Sequence, residues 1–349
     1  MQYSHVLRTD GGRELGFGHL NRYLTMANAI RAGGGLPEIV LGIGDSDVLD
    51  RIEKAGQPAR QLASDKRYDA IEMLRGAACA VFDFSHIRTG EMADAAATML
   101  NRVRDSGARS LVIDTIGRDC LGAMQNLTVD ILAIPYAGGE QQETLPGPGI
   151  EARGPDYFVL DNAFLESHQP KAPSANVKPR VLVTAGGSDP AGLTVLFLAS
   201  LDLVNTPLQL RIVVGPGFAG TLKSSIDRCA ASLSHDVVLL DAPESLVEEI
   251  FAADLALSAS GLTKYELAFA GTPCILVSID EEHHAANRAF AELGSCWDAG
   301  LMRDVTPGEL AALLEEIICD AGKRHDMAAA GRAAVDGEGL QRLLELLDD

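Results

Sequence analysis

Basic residues are scarce in this chain. Lysine and arginine number 29 against 49 aspartates and glutamates, the formal net charge is −20, and no long basic stretch offsets the deficit. That balance disfavours non-specific nucleic-acid binding and attachment to anionic lipid. The acidic excess itself, as in Glu309 to Glu316, reads as solvated helix faces that promote solubility and identify no partner. Long apolar runs are missing too. None reaches the roughly 18 residues of a membrane-spanning helix, and the chain does not open on a basic segment followed by an apolar core. A cytoplasmic protein without stable membrane insertion is expected. Cysteine pairs are also lacking: Cys79, Cys120, Cys229, Cys274, Cys296 and Cys319 are scattered without a CxxC. They read as reduced, mostly buried thiols rather than as a disulfide framework. No HExxH or comparable ligand spacing occurs, so neither a metal nor another cofactor is expected.

What is present is enough apolar sequence for two cores. With 349 residues and 47% hydrophobic composition, two domains are expected rather than one. Short apolar runs recur and end in Gly, Asp or Ser: Ile39-Val40-Leu41, Ala80-Val81-Phe82, Leu111-Val112-Ile113, Val181-Leu182-Val183, Arg211-Ile212-Val213-Val214 and Cys274-Ile275-Leu276-Val277. Such runs predict buried parallel strands. Between them lie Ala- and Leu-rich stretches with helical spacing, for example Leu20 to Arg31 and Ala93 to Arg104. Alternating strand and helix predict an α/β protein with doubly wound sheets. Gln169 to Pro179 holds three prolines and several small residues, and the strand pattern restarts after it. The predicted organisation is therefore a first domain over 1–168, a linker over 169–179 and a second domain over 180–349. The last helical stretch, Gly339 to Asp349, is a candidate for folding back onto the first domain. Gly138 to Gly154 holds seven residues that are Gly or Pro and reads as a long loop.

Three small-residue turns stand where a doubly wound sheet would greet a ligand. The first follows Arg8-Thr9-Asp10: Gly16-Phe17-Gly18-His19-Leu20-Asn21-Arg22 leads into a helix. Glycines there let the backbone approach a ligand, and the helix start offers free N–H groups to an anion. Dinucleotide binding is disfavoured, because Asn21 occupies the third glycine position of a GxGxxG. His19 at the helix start would be kept neutral by the dipole and able to accept a proton near pH 7. A lone histidine is also compatible with a structural or surface role, and the glycine context is what points to chemistry. The second turn is Thr184-Ala185-Gly186-Gly187-Ser188-Asp189-Pro190. Gly187, Ser188 and Asp189 are candidate substrate contacts, with helix capping as the structural reading of Asp189. The third is Leu257-Ser258-Ala259-Ser260-Gly261-Leu262-Thr263-Lys264-Tyr265-Glu266. Its N–H groups over Ser260 to Thr263, with the two hydroxyls, suit a diphosphate held without a metal. Glu266, one turn on, suits a pair of ribose hydroxyls or a favourable charge on the helix dipole. His283 and His284 follow three acidic residues, but neighbouring histidines rarely share one ion, so a substrate or surface role is expected of them.

Together these residues resemble the UDP-2,4-diacetamido-2,4,6-trideoxy-β-L-altropyranose hydrolases of pseudaminic acid biosynthesis and, more distantly, the GT-B-type N-acetylglucosaminyltransferase that makes lipid II. The resemblance runs from Arg8 to about Gly300. It rests on the Arg-x-Asp and Gly-x-Gly-His-x-x-Arg start, Ile113-Asp114, Gly154-Pro155-Asp156-Tyr157 with Leu160 and Phe164, Gly186 to Pro190, Val214-Gly215-Pro216, and Ser258 to Glu266. It implies a GT-B-like pair of Rossmann-like domains with the active site in the cleft between them, the first domain carrying the sugar site and the second binding UDP. It further implies that His19 activates a water for attack at the anomeric carbon, with inversion and release of UDP. Asp10, Gly16, Gly18, Arg22, Gly187, Ser188, Asp189, His283 and His284 would then meet the substrate, Val214 and Gly215 the base, Ser260, Gly261, Leu262 and Thr263 the phosphates, and Glu266 the ribose. The chain departs from the family at Asp161, where an arginine is usual, at His283-His284, where an Asn-Gln pair is usual, and at Thr115, where a second aspartate is usual. A glycosyltransferase using an activated amino sugar and a nucleotide-sugar-binding protein without turnover are the competing readings.

Overall fold

The computed structural model describes residues 3–11, 18–83, 90–114, 129–141, 143, 147–167 and 178–348, with backbone alone at 18, 19 and 90–92. Its strands are β1 (His5–Thr9), β2 (Pro37–Leu41), β3 (Ala59–Gln61), β4 (Cys79–Asp83), β5 (Arg109–Ile113), β6 (Ile131–Ile134), β7 (Ile150–Arg153), β8 (Arg180–Thr184), β9 (Gln209–Val214), β10 (Asp236–Asp241), β11 (Leu255–Ser258), β12 (Cys274–Ser278) and β13 (Cys296–Leu301). The helices between them are α1 (Gly18–Ala32), α2 (Ser46–Lys54), α3 (Ala70–Leu74), α4 (Gly90–Asp105), α5 (Asn162–Glu166), α6 (Leu193–Leu201), α7 (Gly220–Ser232), α8 (Val247–Ala252), α9 (Thr263–Ala270), α10 (Glu281–Ala291), α11 (Pro307–Cys319), α12 (Ala321–Ala334) and α13 (Gly339–Asp348). The strands form two sheets, ordered β3-β2-β1-β4-β5-β6-β7 and β10-β9-β8-β11-β12-β13. Every pairing is parallel. The chain is α/β and doubly wound, with two Rossmann-like units.

The apolar runs form central strands because parallel strands are covered by helices on both faces. All five residues of β2 and of β12, and all four of β6 and of β11, are buried. The edges read differently: β10 alternates exposed and half-buried residues and is bounded by Asp236 and Asp241. Polar edges of this kind discourage pairing with another chain. One expectation is corrected here. Gly138 to Gly154 is not loop throughout, since it contains a short 3-10 turn at Gly139–Gln141 and the edge strand β7. The Gly149 and Ile150 amides bond to the Val129 and Asp130 carbonyls and start that strand beside β6.

Compactness divides the chain into Met1–Asn162 with Gly337–Asp349, and Ala163–Asp336. Most of the expected linker, 169–177, lies outside the described residues. The last helix belongs with the first unit. Leu340, Leu343 and Leu347 join a core with Leu7, Leu111 and Ile131, Arg109 Nη2 donates to the Leu346 carbonyl at 2.8 Å, and Arg342 Nη1 donates to the Asp156 carbonyl at 2.8 Å. A ten-residue helix is marginal alone. Burying three leucines, at about 1.5–3 kcal/mol each, supplies what its own hydrogen bonds do not. Gly339 permits the approach, because a Cβ there would lie 2.3 Å from the Phe158 carbonyl.

Within the second unit α9 is held from behind by α12, where a Cβ on Gly331 would meet the Ala268 carbonyl at 2.8 Å. That close packing fixes where the start of α9 points. Among the described residues no helix is long and apolar enough to cross a membrane.

Candidate functional site

In each sheet the winding reverses between two adjacent central strands, β1 and β4 in one and β8 and β11 in the other. Loops leaving such strands at their carboxyl ends diverge and open a crevice, the usual ligand position in open α/β sheets. The second and third candidate turns follow β8 and β11 at these ends, and the first follows β1, with its residues 12–17 outside the described residues.

In the first unit β1 leads into Asp10, and the carboxylate faces protein donors. Arg8 Nη1 donates to Asp10 Oδ2 at 2.7 Å, the backbone N–H of Ile43 donates to Asp10 Oδ1, and both side chains are buried. Gly42 makes room for this pair, since a Cβ there would lie 2.1 Å from Arg8 Nη2. The Arg-x-Asp element is thus an internal strut tying β1 to the loop after β2. Gly18 and His19 open α1, while Gly16 lies outside the described residues. Arg22, three residues beyond His19, is buried; its Nη2 donates to Tyr136 Oη at 2.9 Å, and its Nη1 lies 3.8 Å from Asp83 Oδ2 at the end of β4. Burial opposes the charge on Arg22, but Tyr136 and Asp83 outweigh it, and its pKa lies above the ordinary arginine value. Burial raises the Tyr136 and Tyr23 phenols, so both stay protonated. Asp83 and Tyr136 were not singled out from sequence. The only local signal was an apolar run that stops on a carboxylate, Ala80-Val81-Phe82-Asp83.

In the second unit β8 pairs with β11 so that Thr184 lies opposite Ser258. Two turns more than seventy residues apart in sequence thereby become neighbours. Gly186, Asp189, Ser260, Gly261, Thr263 and His283 help line one depression with an empty volume of about 590 Å³, counting its open mouth. Asp189 is buried with φ of 42°, and its carboxylate accepts from the Leu193 and Thr194 amides at 2.8 and 2.9 Å. It caps α6, which is the structural reading of that residue. Gly187 and Ser188 are exposed, and the Gly187 carbonyl accepts from the Gly217 amide at 2.8 Å. Val214 is in the core, its carbonyl accepts from Ala242 at 2.8 Å, and a Cβ on Gly215 would lie 2.4 Å from the Gly187 carbonyl. These two residues brace the glycine turn from behind.

The third turn is open at its tip. Leu262 precedes α9 and supplies no side-chain cap, so the first amides of the helix have no side-chain acceptor at that position. Ser260, Leu262 and Thr263 are half-buried, Gly261 is exposed, and a Cβ on Gly261 would meet nothing within 4 Å. Glu266 is half-buried in the first helical turn. The two histidines diverge. The ring Nδ1 of His283 is 2.7 Å from Asp280 Oδ1, and that of His284 is 3.3 Å from Asp298 Oδ2 on β13. The Asp280 carboxyl is held below its usual range, chiefly by the His283 amide that it caps. Among the described residues no group of three or more His, Cys, Asp or Glu is placed to hold a metal ion. Behind the turn stand Lys264 and Asn287, both buried and both missed by sequence reasoning.

No family model matches the chain. It is similar to the spore coat polysaccharide biosynthesis protein SpsG of Bacillus subtilis (strain 168), 28% identical over 196 residues, which are 56% of this chain and 57% of that protein. It is also similar to the uncharacterized protein MJ1062 of Methanocaldococcus jannaschii, 24% identical over 281 residues, 78% of this chain and 55% of that protein. The chain spans a little over half the length of these curated relatives. Among solved structures, Acinetobacter baumannii MurG superposes with a TM-score of 0.67 at 17% identity, covering 99% of each chain. UDP-GlcNAc 2-epimerase from Neisseria meningitidis, bound to UDP-GlcNAc, superposes with a TM-score of 0.65 at 13% identity, covering 99% of this chain and 100% of that one. Staphylococcus aureus MnaA, solved with UDP, gives 0.66 at 12% identity over 99% and 95%. These likenesses establish the fold as GT-B-like.

Proposed function

We propose that the chain is an enzyme acting on a nucleotide-activated sugar, and within that class a hydrolase that releases UDP and a free diacetamido-trideoxy sugar. The observation that carries this reading is the depression at the reversal point of the second sheet. Two small-residue turns, the open start of α9 and the hydroxyls of Ser260 and Thr263 converge on it. The nearby carboxylate of Asp189 is engaged with the α6 amides, so it does not repel an anion as a free one would. Backbone N–H groups and hydroxyls in this arrangement suit a diphosphate. The UDP and UDP-GlcNAc named for two structures of the same fold, and the polysaccharide role named for SpsG, support a nucleotide sugar as the ligand.

The reading assigns the sugar end to residues of the first unit. His19, second residue of α1, takes a proton from water as the water oxygen bonds to the anomeric carbon. The C1–O bond to the diphosphate breaks with inversion, and the electron pair leaves with UDP. Dipoles at the start of α9 take up the charge that develops on the leaving diphosphate. A glycosyltransferase is the second reading, favoured by the superposition on a glycosyltransferase from Rickettsia africae, with a TM-score of 0.65 over 99% of this chain and 98% of that one. One scaffold serves both chemistries, and the acceptor decides between them.

Incubation with UDP- and CMP-activated amino sugars, with and without acceptors, in ¹⁸O-water and EDTA tests this. Label in the free sugar, none in UDP and full activity in EDTA are expected. Label in UDP would sink C–O cleavage. No turnover until an acceptor is added would replace the hydrolase with the transferase.

A further inference from the structure

Lys264 is the second residue of α9, directly behind the Ser260 to Thr263 turn, yet only 3% exposed. Lysine is rarely buried without a reason, because removing an ammonium from water is costly. Its Nζ donates to Asn287 Oδ1 at 3.0 Å and to the Ala286 carbonyl at 3.4 Å, and it lies over the rings of Phe290 and Tyr265 at 5.3 and 5.8 Å. Asn287, itself 0% exposed, uses its amide nitrogen in two further bonds, to Ser260 Oγ at 2.8 Å and to Ser278 Oγ at 2.9 Å. The proposed chemistry makes no use of this chain of contacts.

Hydrogen-bond polarity makes it directional. An ammonium only donates, so the Asn287 atom facing Lys264 must be the carbonyl oxygen. The NH₂ group then faces Ser260, whose Oγ is obliged to accept. Its own O–H is left to donate elsewhere, and Ser260 lines the depression. Without Lys264 the amide would be free to rotate and offer its carbonyl to Ser260. The serine proton would then turn back into the protein, and the pocket would lose a donor.

We propose that Lys264 is a positioning residue which, through Asn287, locks the Ser260 hydroxyl as a hydrogen-bond donor to the phosphate of a bound nucleotide. This rests on the reading of the depression as a diphosphate site. Burial also lowers the Lys264 pKa to about 8, with Cys296 and Cys274 on the adjoining strands and Asp298 acting to raise it. An anion seated beyond Ser260 favours the charged form, so nucleotide binding near pH 8.5 should draw a proton onto Lys264.

Calorimetric titration of UDP, UMP and uridine into the full chain and into Lys264→Met, Ser260→Ala and the double variant tests this. For Lys264→Met, UDP and UMP affinity should fall about 10- to 100-fold, the range of a hydrogen bond to a charged group, with uridine affinity unchanged. In the Ser260→Ala background the same substitution should cost almost nothing further, because the two act as one unit. Additive losses, or equal losses for uridine, would reduce Lys264 to a packing residue and overturn the proposal. Should Lys264→Met fail to fold, UDP titration into the unaltered chain at pH 8.5, in buffers of different ionisation enthalpy, decides instead: proton uptake supports the proposal and its absence overturns it. No binding of any phosphate-bearing ligand by the unaltered chain would overturn the diphosphate reading itself. UDP binding that Lys264→Met leaves unaltered would overturn the role of Lys264 alone.

Discussion

The two sheets reverse at equivalent places and furnish those places in opposite ways. At the end of β1 and β4 the structure puts full charges, Arg8 with Asp10 and Arg22 with Asp83, and buries them against one another. At the end of β8 and β11 it puts glycines, hydroxyls and backbone amides, with two buried charges, Asp189 and Lys264, turned into supporting bonds. The contrast shows that one topology produces the same reversal twice, while the side chains at that point decide how it is lined. Fixed ion pairs stiffen a wall and hold its shape. Backbone dipoles leave space and accept negative charge without bringing a countercharge of their own.

The sharpest way to break this comparison is at His19. If the first unit carries chemistry and the second holds the nucleotide, His19→Asn should lower turnover by about 10²–10⁴-fold, the usual worth of general-base assistance. UDP affinity by calorimetry should stay the same. A variant that turns over normally, or loses UDP instead, would dissolve the division of labour.

Asp10→Ala probes the strut. It leaves Arg8 charged and buried beside a lost partner, and such losses cost about 3–5 kcal/mol. Urea unfolding should show a destabilisation of that order. Unchanged stability would mean that the Asp10 carboxylate is available for substrate after all.

On the other side, Glu266→Ala should weaken UDP by about 1.5–3 kcal/mol, as for a charged acceptor of hydroxyl protons. Equal dissociation constants for UDP, UMP and uridine before and after would leave Glu266 as a partner of the helix dipole. The smallest effect on stability belongs to Gly261→Ala, whose new Cβ meets no protein atom within 4 Å. Its unfolding free energy should stay within about 0.5 kcal/mol of the parent. If the turn holds the diphosphate, its UDP affinity should nonetheless fall, because a methyl group would stand in the way; undiminished affinity would place the diphosphate elsewhere.

Central strands were legible because burial on both faces leaves runs such as Cys274-Ile275-Leu276-Val277, which need no partner to be recognised. β7 was not, since Ile150-Glu151-Ala152-Arg153 is half polar and follows a stretch rich in Gly and Pro. It becomes a strand only because β6 offers an edge beside it. The turns of the candidate site were visible for the same local reason as the strands. Gly186-Gly187 and Ser260-Gly261 follow apolar runs directly, and Asp189 stands within capping reach of the next helix. The contacts that give these turns their character were not visible. Arg22 meets Tyr136 across 114 positions, and Lys264 reaches Ser260 only by way of Asn287 on another helix.

The sequence by itself determined the alternation of strand and helix, the places where small residues break it, and the lack of long basic or long apolar runs. Each depends on neighbours within a few residues, where side-chain size and hydrophobic period act directly. The tertiary structure alone decided that β8 lies beside β11, so that Gly186 and Ser260 share one depression. It alone decided which polar groups are taken up by other residues and which face open space. Asp10 and Asp189 are both carboxylates after a strand, and each is drawn inward by donors that folding brings to it. A buried charge must find a partner, and that partner comes from wherever the fold supplies one.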